Sequence, residues 1–449
     1  MRIAVLHEED PHETRVACVP ATVTQYQKLG CEVVVETGLG DHLGWDDAAY
    51  REAGADIAEN RAEALGGAAI VIRVRAPAPA QVGELPTGCI QIGYLDPFNQ
   101  QPLVEALAAH GVRSLSMEMI PRSTIAQKMD ALSSQHSLAG YYMVLLAAER
   151  LGKALPMMMT PAGTIQPARV FVIGAGVAGL QAIATAKRLG ARVQAFDTRP
   201  VVQEQVESLG ASFLVIDLGD TGQTDQGYAK ELTTEQQERQ RQGMRQACAE
   251  ADIVITTAQL FGRPAPQVID AEMVRAMRPG SIVVDYAVES GGNVAGSVAG
   301  KEVMVDGVRI IGLRNYPGRV AADASRMYAA NCFNLIKHFW STEAKTIDWG
   351  RDEEVAQAAT ITADGAVVSA QIRERYGLPP LPAPEPAPAI AETEAATEAP
   401  DSPSGDGGQV APDSDAAPPQ AQAETEAEGV DATDTDDQNT DDPDRKQQP

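Results

Sequence analysis

Short apolar runs alternate along the N-terminal third of the chain with stretches that have the 3.6-residue apolar period of helices. Such alternation is typical of a mostly parallel sheet covered by helices, with binding loops at the carboxyl ends of its strands. The predicted strands are residues 3–6, 32–35, 69–74, 90–95 and 112–117, and the predicted helices are residues 21–29, 46–53 and 102–109.

A second series with the same rhythm begins after a long predicted helix at residues 134–151. Its predicted elements are residues 168–173, 180–189, 192–196, 212–215, 252–257, 281–286 and 308–312. We therefore predict an α/β fold of two doubly wound, Rossmann-like domains.

Two segments depart from this rhythm. Residues 217–250 are polar and rich in Gln and Glu, and long loops of this kind are often lids, although an exposed helix with a linker fits equally well. After Leu378 the chain is rich in Pro, Ala, Glu, Asp and Ser and has no aromatic residue. Residues 379–449 lack the apolar side chains of a core, so we predict a disordered acidic tail, a solubilising segment or a tether.

The net charge is −26, and the residues from 381 onward hold 18 acidic and 2 basic side chains. The chain has no stripe of Lys or Arg, which argues against nucleic acid and anionic lipid surfaces as partners. Five widely spaced cysteines match neither a disulfide framework nor a zinc site, and we expect no metal. We expect a cytoplasmic chain without a membrane span, because the N-terminus lacks targeting features and residues 170–186 are too few to cross a bilayer.

The sequence Gly174-Ala-Gly-Val-Ala-Gly179 follows an apolar run and precedes a helical segment. In this context the pattern is typical of a dinucleotide-binding turn. The first glycine permits the tight turn, the second lets the backbone approach a pyrophosphate, and the third allows helix and strand to pack closely. Free N–H groups at the start of the helix would bind the phosphates. We predict cofactor binding by Gly174, Ala175, Gly176, Val177, Ala178 and Gly179; the alternative is a turn that no longer binds.

Asp197 ends the next predicted strand, 18 residues after Gly179. A carboxylate there can accept hydrogen bonds from the adenosine ribose and repels a 2′-phosphate, which favours NAD(H) over NADP(H). Arg199 instead favours NADP(H), because a nearby arginine can pair with that phosphate. We predict that Asp197, Thr198 and Arg199 bind the adenosine half of NAD(H).

Several blocks together resemble a known family. They are Arg15-Val-Ala followed by Pro20, residues 121–135, the glycine turn, Gly227-Tyr-Ala-Lys-Glu231, Gly262-Arg-Pro-Ala-Pro266 and Val288-Glu-Ser-Gly-Gly-Asn293. With them, residues 1–378 resemble the alanine dehydrogenase and transhydrogenase superfamily, and within it the NAD(H)-binding alpha subunits of proton-translocating transhydrogenases. The resemblance implies a homodimer with NAD(H) in the interdomain cleft.

The resemblance also implies how the chain is divided. Residues 1–133 and 325–378 would form the first domain, and residues 134–324 the NAD(H)-binding domain with a mobile loop at about 217–250. Tyr228 falls on that loop, which closes over bound nucleotide in the family; the alternative for Tyr228 is a surface turn.

The block of residues 121–135 is similar to the family's nicotinamide-binding loop. The resemblance makes Arg122, Gln127 and Asp130 the catalytic and cofactor-binding residues, with Ser133 beside them, while Ile125 replaces an arginine that is common there. A Gln side chain offers the donor and the acceptor that a carboxamide needs, and an Arg–Asp pair can brace a loop. From the residues alone, Asp130 or Ser133 could equally cap the helix that follows.

The choice of reaction within the superfamily depends on a basic group. Oxidation of an amino acid requires one, whereas hydride exchange between two nicotinamides does not. In alanine dehydrogenases a histidine and an aspartate occupy the places that hold Asp96 and Glu289 here. The basic residues Arg15, Arg73 and Arg75 remain, but they could be structural ion-pair partners. No histidine, His136 included, falls in a catalytic pattern, and we expect each on the surface or in the core.

The resemblance thus implies an oxidoreductase subunit that transfers a hydride between NADH and NADP⁺ held on a partner subunit. Proton translocation and NADP(H) binding are expected on separate membrane-embedded and NADP(H)-binding subunits, with this chain peripheral at the inner face of the membrane. Two alternatives stay open: an NAD-dependent alanine dehydrogenase and a non-catalytic NAD-binding scaffold.

Overall fold

The computed structural model describes residues 1–219, 221, 232–349 and 352–381. All of them belong to one compact unit, Met1–Ala383. Tyr228 and nearly all of the predicted tail lie outside the described residues, so the predictions made for them stay predictions.

The strands of the described chain are numbered in order along the sequence. They are β1 Arg2–Val5, β2 Glu32–Glu36, β3 Asp56–Ala58, β4 Ile70–Arg75, β5 Ile90–Tyr94, β6 Arg113–Ser116, β7 Met158–Thr160, β8 Gly163–Ile165, β9 Arg169–Ile173, β10 Arg192–Phe196, β11 Ser212–Phe213, β12 Ile253–Thr256, β13 Ile282–Asp285, β14 Lys301–Val305, β15 Val308–Gly312, β16 Trp340–Ser341, β17 Thr346–Ile347, β18 Thr360–Ala363 and β19 Ala366–Val367.

The α-helices of the described chain are numbered in the same way. They are α1 Pro20–Lys28, α2 Asp47–Glu52, α3 Arg61–Leu65, α4 Gln101–Ala109, α5 Ala131–Arg150, α6 Val177–Arg188, α7 Gln203–Ser208, α8 Thr234–Glu250, α9 Ala271–Ala276, α10 Ala321–Phe339, α11 Glu353–Ala359 and α12 Ala370–Arg375.

The first sheet has the strand order β19-β18-β6-β5-β4-β1-β2-β3. Strands β1 to β6 are parallel, and β18 and β19, from the end of the described chain, extend the sheet in antiparallel fashion beside β6. The central strands are apolar along most of their length because helices cover both of their faces, as in other parallel sheets.

The second sheet has the order β11-β10-β9-β12-β13-β15-β14 and is parallel except for the edge strand β14. After β9 the chain adds β10 and β11 on one side and then β12 and β13 on the other. This reversal leaves a crevice at the carboxyl ends of β9 and β12. The two sheets confirm the prediction of two doubly wound α/β domains.

Among the differences between predicted and observed elements, three concern α6, α5 and α8. Helix α6 begins at Val177 rather than 180, directly after the glycine turn. Helix α5 begins at Ala131 rather than 134, because the Asp130 side chain caps it. Residues 234–250, half of the predicted loop, form helix α8, whose first turn is capped reciprocally by Thr233 and Gln236. In that half the exposed-helix alternative is therefore correct.

Helix α5 connects the two halves of the unit and packs against both α6 and α10. Its approach to α6 depends on Gly140, since a Cβ atom there would lie 2.2 Å from the carbonyl oxygen of Ala178. The glycine turn and the first turns of α5 are thereby held side by side.

The five cysteines are buried and free. Among the helices of the described residues, none is both long enough and apolar enough to cross a membrane.

Candidate functional site

A cavity of about 760 Å³ lies where β9, β10, β12 and β13 end. Residues at or just beyond the carboxyl ends of these strands form most of its wall, among them Ile173, Phe196, Thr257 and Tyr286. Its volume is within the usual range for small-molecule and cofactor sites, and its position is the crevice that the strand order creates.

The glycine turn forms one wall of the cavity, and its three glycines differ in their surroundings. Gly174 has φ +94°, and a Cβ atom there would lie 2.6 Å from Oγ1 of Thr257. A Cβ on Gly179 would lie 1.8 Å from the carbonyl oxygen of Gly174, whereas a Cβ on Gly176 would meet no atom within 4 Å. The first and third glycines thus allow the tight turn and close packing, and the second leaves the backbone open to a ligand.

Helix α6 starts at this open point, with Gly176 as its N-cap and Val177 and Ala178 in the cavity wall. The first N–H groups of a helix have no partner within the helix, and the helix dipole adds partial positive charge. This end of α6 can therefore bind an anionic group such as a pyrophosphate.

Asp197 and Arg199 form a nearly buried ion pair in the same wall, with side chains 6% and 13% exposed. Asp197 Oδ1 accepts hydrogen bonds from the backbone N and from Nε of Arg199, at 2.8 and 2.9 Å. Its Oδ2 accepts from Nη2 of Arg199 at 2.8 Å and from the backbone N of Ala175 at 2.7 Å. In the sequence these two residues favoured different cofactors, but in the structure they bind each other. Hydrogen bonding to Asp197 raises the pKa of Arg199.

Both carboxylate oxygens of Asp197 already accept two hydrogen bonds each. A ribose hydroxyl can therefore bond to Asp197 only by sharing or displacing one of these donors, and the guanidinium of Arg199 is the one that can move. Thr198 also lies in the wall. Ribose recognition by Asp197, Thr198 and Arg199 stays a prediction.

The residues of the predicted nicotinamide loop have different surroundings in the structure. Arg122 is exposed and lies in the cavity wall, and Gln127 is exposed to solvent outside it. Asp130 Oδ1 accepts the backbone N–H of Ser133 at 2.9 Å, and its Oδ2 accepts the Ser133 hydroxyl at 2.5 Å. Asp130 and Ser133 thus cap α5, as the helix-cap alternative proposed. Their predicted catalytic and binding roles stay predictions.

Sequence reasoning missed several wall residues. His136, on α5, contacts the ring of Tyr286 edge-on, with 5.6 Å between ring centroids. Burial, assisted by Arg122, lowers the pKa of His136 to about 4. Tyr286 was visible in the sequence as the last residue of the predicted strand 281–286, but His136 had no such signal, because only the fold brings α5 to the crevice.

The cavity wall is rich in positive charge. Among the described residues it contains one carboxylate, that of Asp197, and five arginines: Arg122, Arg199, Arg241, Arg263 and Arg375. This accumulation occurs in a chain whose net charge is −26. Positive side chains around a cleft attract and hold an anionic ligand, and guanidinium groups suit phosphate oxygens in particular.

The family blocks at 262–266 and 288–293 position the far wall. Asn293 donates from Nδ2 to the carbonyl oxygens of Ala258 and Pro266, at 2.8 and 2.7 Å, and accepts the N–H of Ala258 at 3.1 Å. Its own backbone N–H donates to the buried carboxylate of Asp285 at 3.0 Å. These hydrogen bonds fix the segments that follow β12 relative to the end of β13.

A polar cluster lies at the carboxyl end of the first sheet, around the buried carboxylate of Glu13. Arg15 contacts it through Nε at 2.7 Å and Nη2 at 2.6 Å, Arg75 through Nε at 2.9 Å, and Asn315 through Nδ2 at 3.0 Å. The third guanidinium contact of Arg15, at 2.8 Å, is to Gln135. Although burial alone would raise it, the two arginines lower the pKa of Glu13 to about 2.

Arg15 and Arg75 are therefore ion-pair partners of Glu13, which agrees with the alternative that they are structural residues. Glu289, in the place of the dehydrogenase aspartate, accepts the backbone N–H of Asn315 at 3.1 Å. Asp96, in the place of the histidine, accepts from Nδ2 of Asn99 at 2.8 Å. The histidine and the aspartate of alanine dehydrogenases are thus replaced here by two carboxylates that already accept hydrogen bonds.

The residues of the cavity fit a dinucleotide. The open backbone at Gly176, the free helix N-terminus and the surplus of arginines suit a pyrophosphate, and the wall continues from β10 to β13 on either side of it.

Comparisons with known proteins agree with this geometry. Residues 4–139 match the family model "Alanine dehydrogenase/PNT, N-terminal domain", and residues 143–370 match "Alanine dehydrogenase/PNT, C-terminal domain". An NAD(P) transhydrogenase alpha-subunit chain of Rhodospirillum rubrum is 44% identical over 375 residues, 82% of this chain and 98% of the relative.

Two further proteins show the range of similarity. The crystal structure of transhydrogenase from Sinorhizobium meliloti is 41% identical, covers 83% of this chain and all of its own, and has a TM-score of 0.71. The alanine dehydrogenase of Halomonas elongata is 28% identical over 341 residues, 73% of this chain and 84% of its own. The chain therefore belongs to the alanine dehydrogenase/PNT family, with greater similarity to these two transhydrogenase proteins than to this alanine dehydrogenase.

Proposed function

We propose that this chain is the NAD(H)-binding subunit of a proton-translocating NAD(P) transhydrogenase. It transfers a hydride between its own NADH and NADP⁺ bound on a partner subunit. Separate membrane-embedded subunits carry the protons, and the chain is held at the inner face of the membrane through them.

The observation that carries this proposal is the glycine turn at the crevice. A chain 44% identical to a transhydrogenase alpha subunit keeps an open Gly176 between two tightly packed glycines, at the start of α6 and beside Asp197. These are the features that a dinucleotide-binding turn needs.

Bound NAD(H) supplies the hydride donor or acceptor, and the residues of this chain bind, orient and shield it. The turn and α6 hold the pyrophosphate, Asp197 with Arg199 holds the adenosine ribose, and Arg122 with Gln127 orients the nicotinamide. Hydride exchange requires no general base on this chain, so catalysis consists of positioning and the exclusion of water.

The contacts of the first sheet argue against alanine dehydrogenase. Arg15 and Arg75 share one carboxylate, that of Glu13, so a small carboxylate substrate would have to compete with existing ion pairs. Breaking the buried Glu13–Arg15 pair would leave a charge without a partner and is costly.

One reconstitution separates the three functions. The chain is mixed with an NADP(H)-binding transhydrogenase component, and hydride transfer from NADPH to an acetylpyridine analogue of NAD⁺ is followed spectroscopically. We expect transfer that depends on both components. Alanine-dependent NADH formation by the chain alone would establish the dehydrogenase instead, and NADH binding without any transfer would establish the scaffold.

The proposed homodimer is supported by the hairpin of β7 and β8, which presents apolar side chains to solvent. Met157, Met158, Met159 and Ile165 are 58%, 46%, 78% and 43% exposed. Contiguous exposed apolar residues of this kind are typical of interaction sites. We propose that a second copy of the chain covers them.

Sedimentation of variants tests the dimer. Met159→Asp and Ile165→Asp place a charge on the hairpin and should give a monomer. Met304→Asp is the matched control, because Met304 is 58% exposed on the edge strand β14 and lies outside the hairpin. A wild-type monomer, or dimers in both hairpin variants, would contradict the proposed interface.

A further inference from the structure

The strand order assigns the two halves of the cavity, given the proposed NAD(H) site. The glycine turn follows the central strand β9, and Asp197 follows β10 on one side of it. A dinucleotide whose pyrophosphate lies on the turn and whose adenosine lies toward β10 must extend its nicotinamide toward the ends of β12 and β13. Tyr286 is the first residue after β13, and His136 packs against it from α5.

His136 is held in a defined place. Its helix is fixed against α6 by the close approach at Gly140, one turn further along α5. Its ring contacts Tyr286 edge-on, and Tyr286 in turn contacts Tyr316 with 5.8 Å between centroids. Tyr316 is 1% exposed, and its hydroxyl donates to the carbonyl oxygen of Ile311 at 3.1 Å. These ring contacts therefore begin at the buried, hydrogen-bonded ring of Tyr316, continue through Tyr286 and end at His136 in the cavity wall.

The charge state of His136 suits this end of the cavity. Burial and the nearby Arg122 lower its pKa to about 4, so the ring is neutral at pH 7. A neutral imidazole has one donor and one acceptor nitrogen, so it can either donate to the carbonyl or accept from the amino group of a carboxamide. It also adds no positive charge beside the oxidised nicotinamide ring, which is itself cationic.

We propose that His136, held by Tyr286 and Tyr316, binds the nicotinamide carboxamide of NAD(H) and orients the ring. This role rests on the proposed function and adds a residue that the sequence motifs do not contain. It also gives the ring a contact on a long helix, whereas Gln127 lies on a short 3₁₀ turn with its side chain exposed.

Binding of NADH and of ADP-ribose, measured by calorimetry, tests the contact. ADP-ribose keeps the adenosine, the pyrophosphate and both ribose groups but lacks the nicotinamide. His136→Ala should weaken NADH binding about fivefold to tenfold, the effect of one hydrogen bond, and leave ADP-ribose binding within about twofold. His136→Gln, which restores an amide donor and acceptor, should recover part of the loss. His12→Ala is the matched control, because His12 is exposed outside the cavity wall.

A charged variant gives a second measurement. His136→Lys places a cation beside the ring and should weaken NAD⁺ binding at least about fivefold more than NADH binding, because only NAD⁺ carries a positive ring. His136→Ala should leave this ratio close to that of the wild type.

Several outcomes would overturn the proposal. Equal losses of NADH and ADP-ribose binding in His136→Ala would make His136 a packing residue or a ribose contact, and unchanged NADH binding would place the nicotinamide elsewhere. Failure of the wild-type chain to bind ADP-ribose would refute the proposed function itself, which keeps the two failures distinct.

Discussion

The proposed adenosine half and the proposed nicotinamide half of the cavity are built in different ways. The adenosine half comes from one continuous βαβ segment, in which Gly174 donates its N–H to the Phe196 carbonyl at 2.8 Å and Ala175 donates to Asp197 at 2.7 Å. The nicotinamide half is assembled from Arg122, His136 and Tyr286, which belong to three separate segments.

The two halves also differ in exposure. Asp197 is nearly buried and the glycine turn is buried or half-buried, whereas Arg122 is exposed, as is Gln127 outside the cavity wall. A rigid turn suits the part of the cofactor that does not react, whereas the proposed nicotinamide half combines the fixed ring of His136 with the exposed side chain of Arg122. We infer that the first half supplies most of the affinity and that the second sets the rate of transfer.

The largest effect is expected at the most crowded glycine. Gly179→Ala would bring Cβ to 1.8 Å from a backbone carbonyl oxygen, so the turn must shift. We expect a loss of about 1–3 kcal/mol in the free energy of unfolding and no measurable NADH binding. Denaturant unfolding and calorimetry measure the two quantities.

Substitutions at two other glycines serve as comparisons for Gly179→Ala. Gly176→Ala meets no atom within 4 Å, so it should preserve stability and still weaken NADH binding by occupying the space open to the ligand. Gly83→Ala also meets nothing and lies away from the cavity, so it should change neither. Wild-type NADH affinity in Gly179→Ala would show that the turn does not bind the cofactor.

The next effect concerns rate rather than affinity. Gln127→Asn shortens the side chain by one methylene, and Arg122→Ala removes a cation from the cavity wall. Both should reduce NADH affinity modestly and reduce hydride transfer in the reconstituted system on the order of 100-fold, because displacements of about 1 Å have effects of that size. Stopped-flow transfer and equilibrium binding are compared for each variant.

A substitution at Asp130 needs a control, because Asp130 also caps helix α5. Asp130→Asn keeps a good helix cap while removing the charge, so any loss of transfer reports on the site and not on α5. Asp270→Asn makes the same change at the cap of α9, where Asp270 Oδ1 accepts the N–H of Met273 at 2.8 Å, and should leave transfer unchanged. Equal losses of binding and transfer in the loop variants would make the loop a general binding element.

This contrast also explains what could be predicted from the sequence. Parallel strands, the glycine turn and Asp197 are encoded by neighbouring residues, and periodicity and spacing identify such features. The Asp197–Arg199 ion pair could not be decided, because the same two residues fit either a phosphate or each other. His136 could not be found, because its place depends on how α5 packs at Gly140, and tertiary packing leaves no local pattern.

A smaller effect is expected at Asp197, which we predict to determine the choice between NADH and NADPH. The wild-type chain should bind NADH far better than NADPH, because Asp197 opposes a 2′-phosphate. Asp197→Asn removes that charge and releases Arg199, so NADH affinity should fall about tenfold and the preference over NADPH should narrow. Calorimetry with both nucleotides decides this. Equal wild-type affinities would transfer the recognition role from Asp197 to Arg199.

The smallest effect is expected from the acidic end of the chain. Helix α12 belongs to the folded unit: Ile372 is buried, and Arg373 donates from Nη1 to the carbonyl of Val367 at 2.7 Å and from Nε to that of Pro379 at 2.8 Å. Truncation after Leu381 keeps these contacts and removes a segment without aromatic residues, so NADH affinity, unfolding free energy and dimerisation should stay at wild-type values. Truncation after Ser369 removes α12 with Ile372 and Arg375 and should destabilise the chain. A longer product that is monomeric or fails to bind NADH would show that the residues beyond Leu381 contribute to one of the two halves of the site or to the dimer.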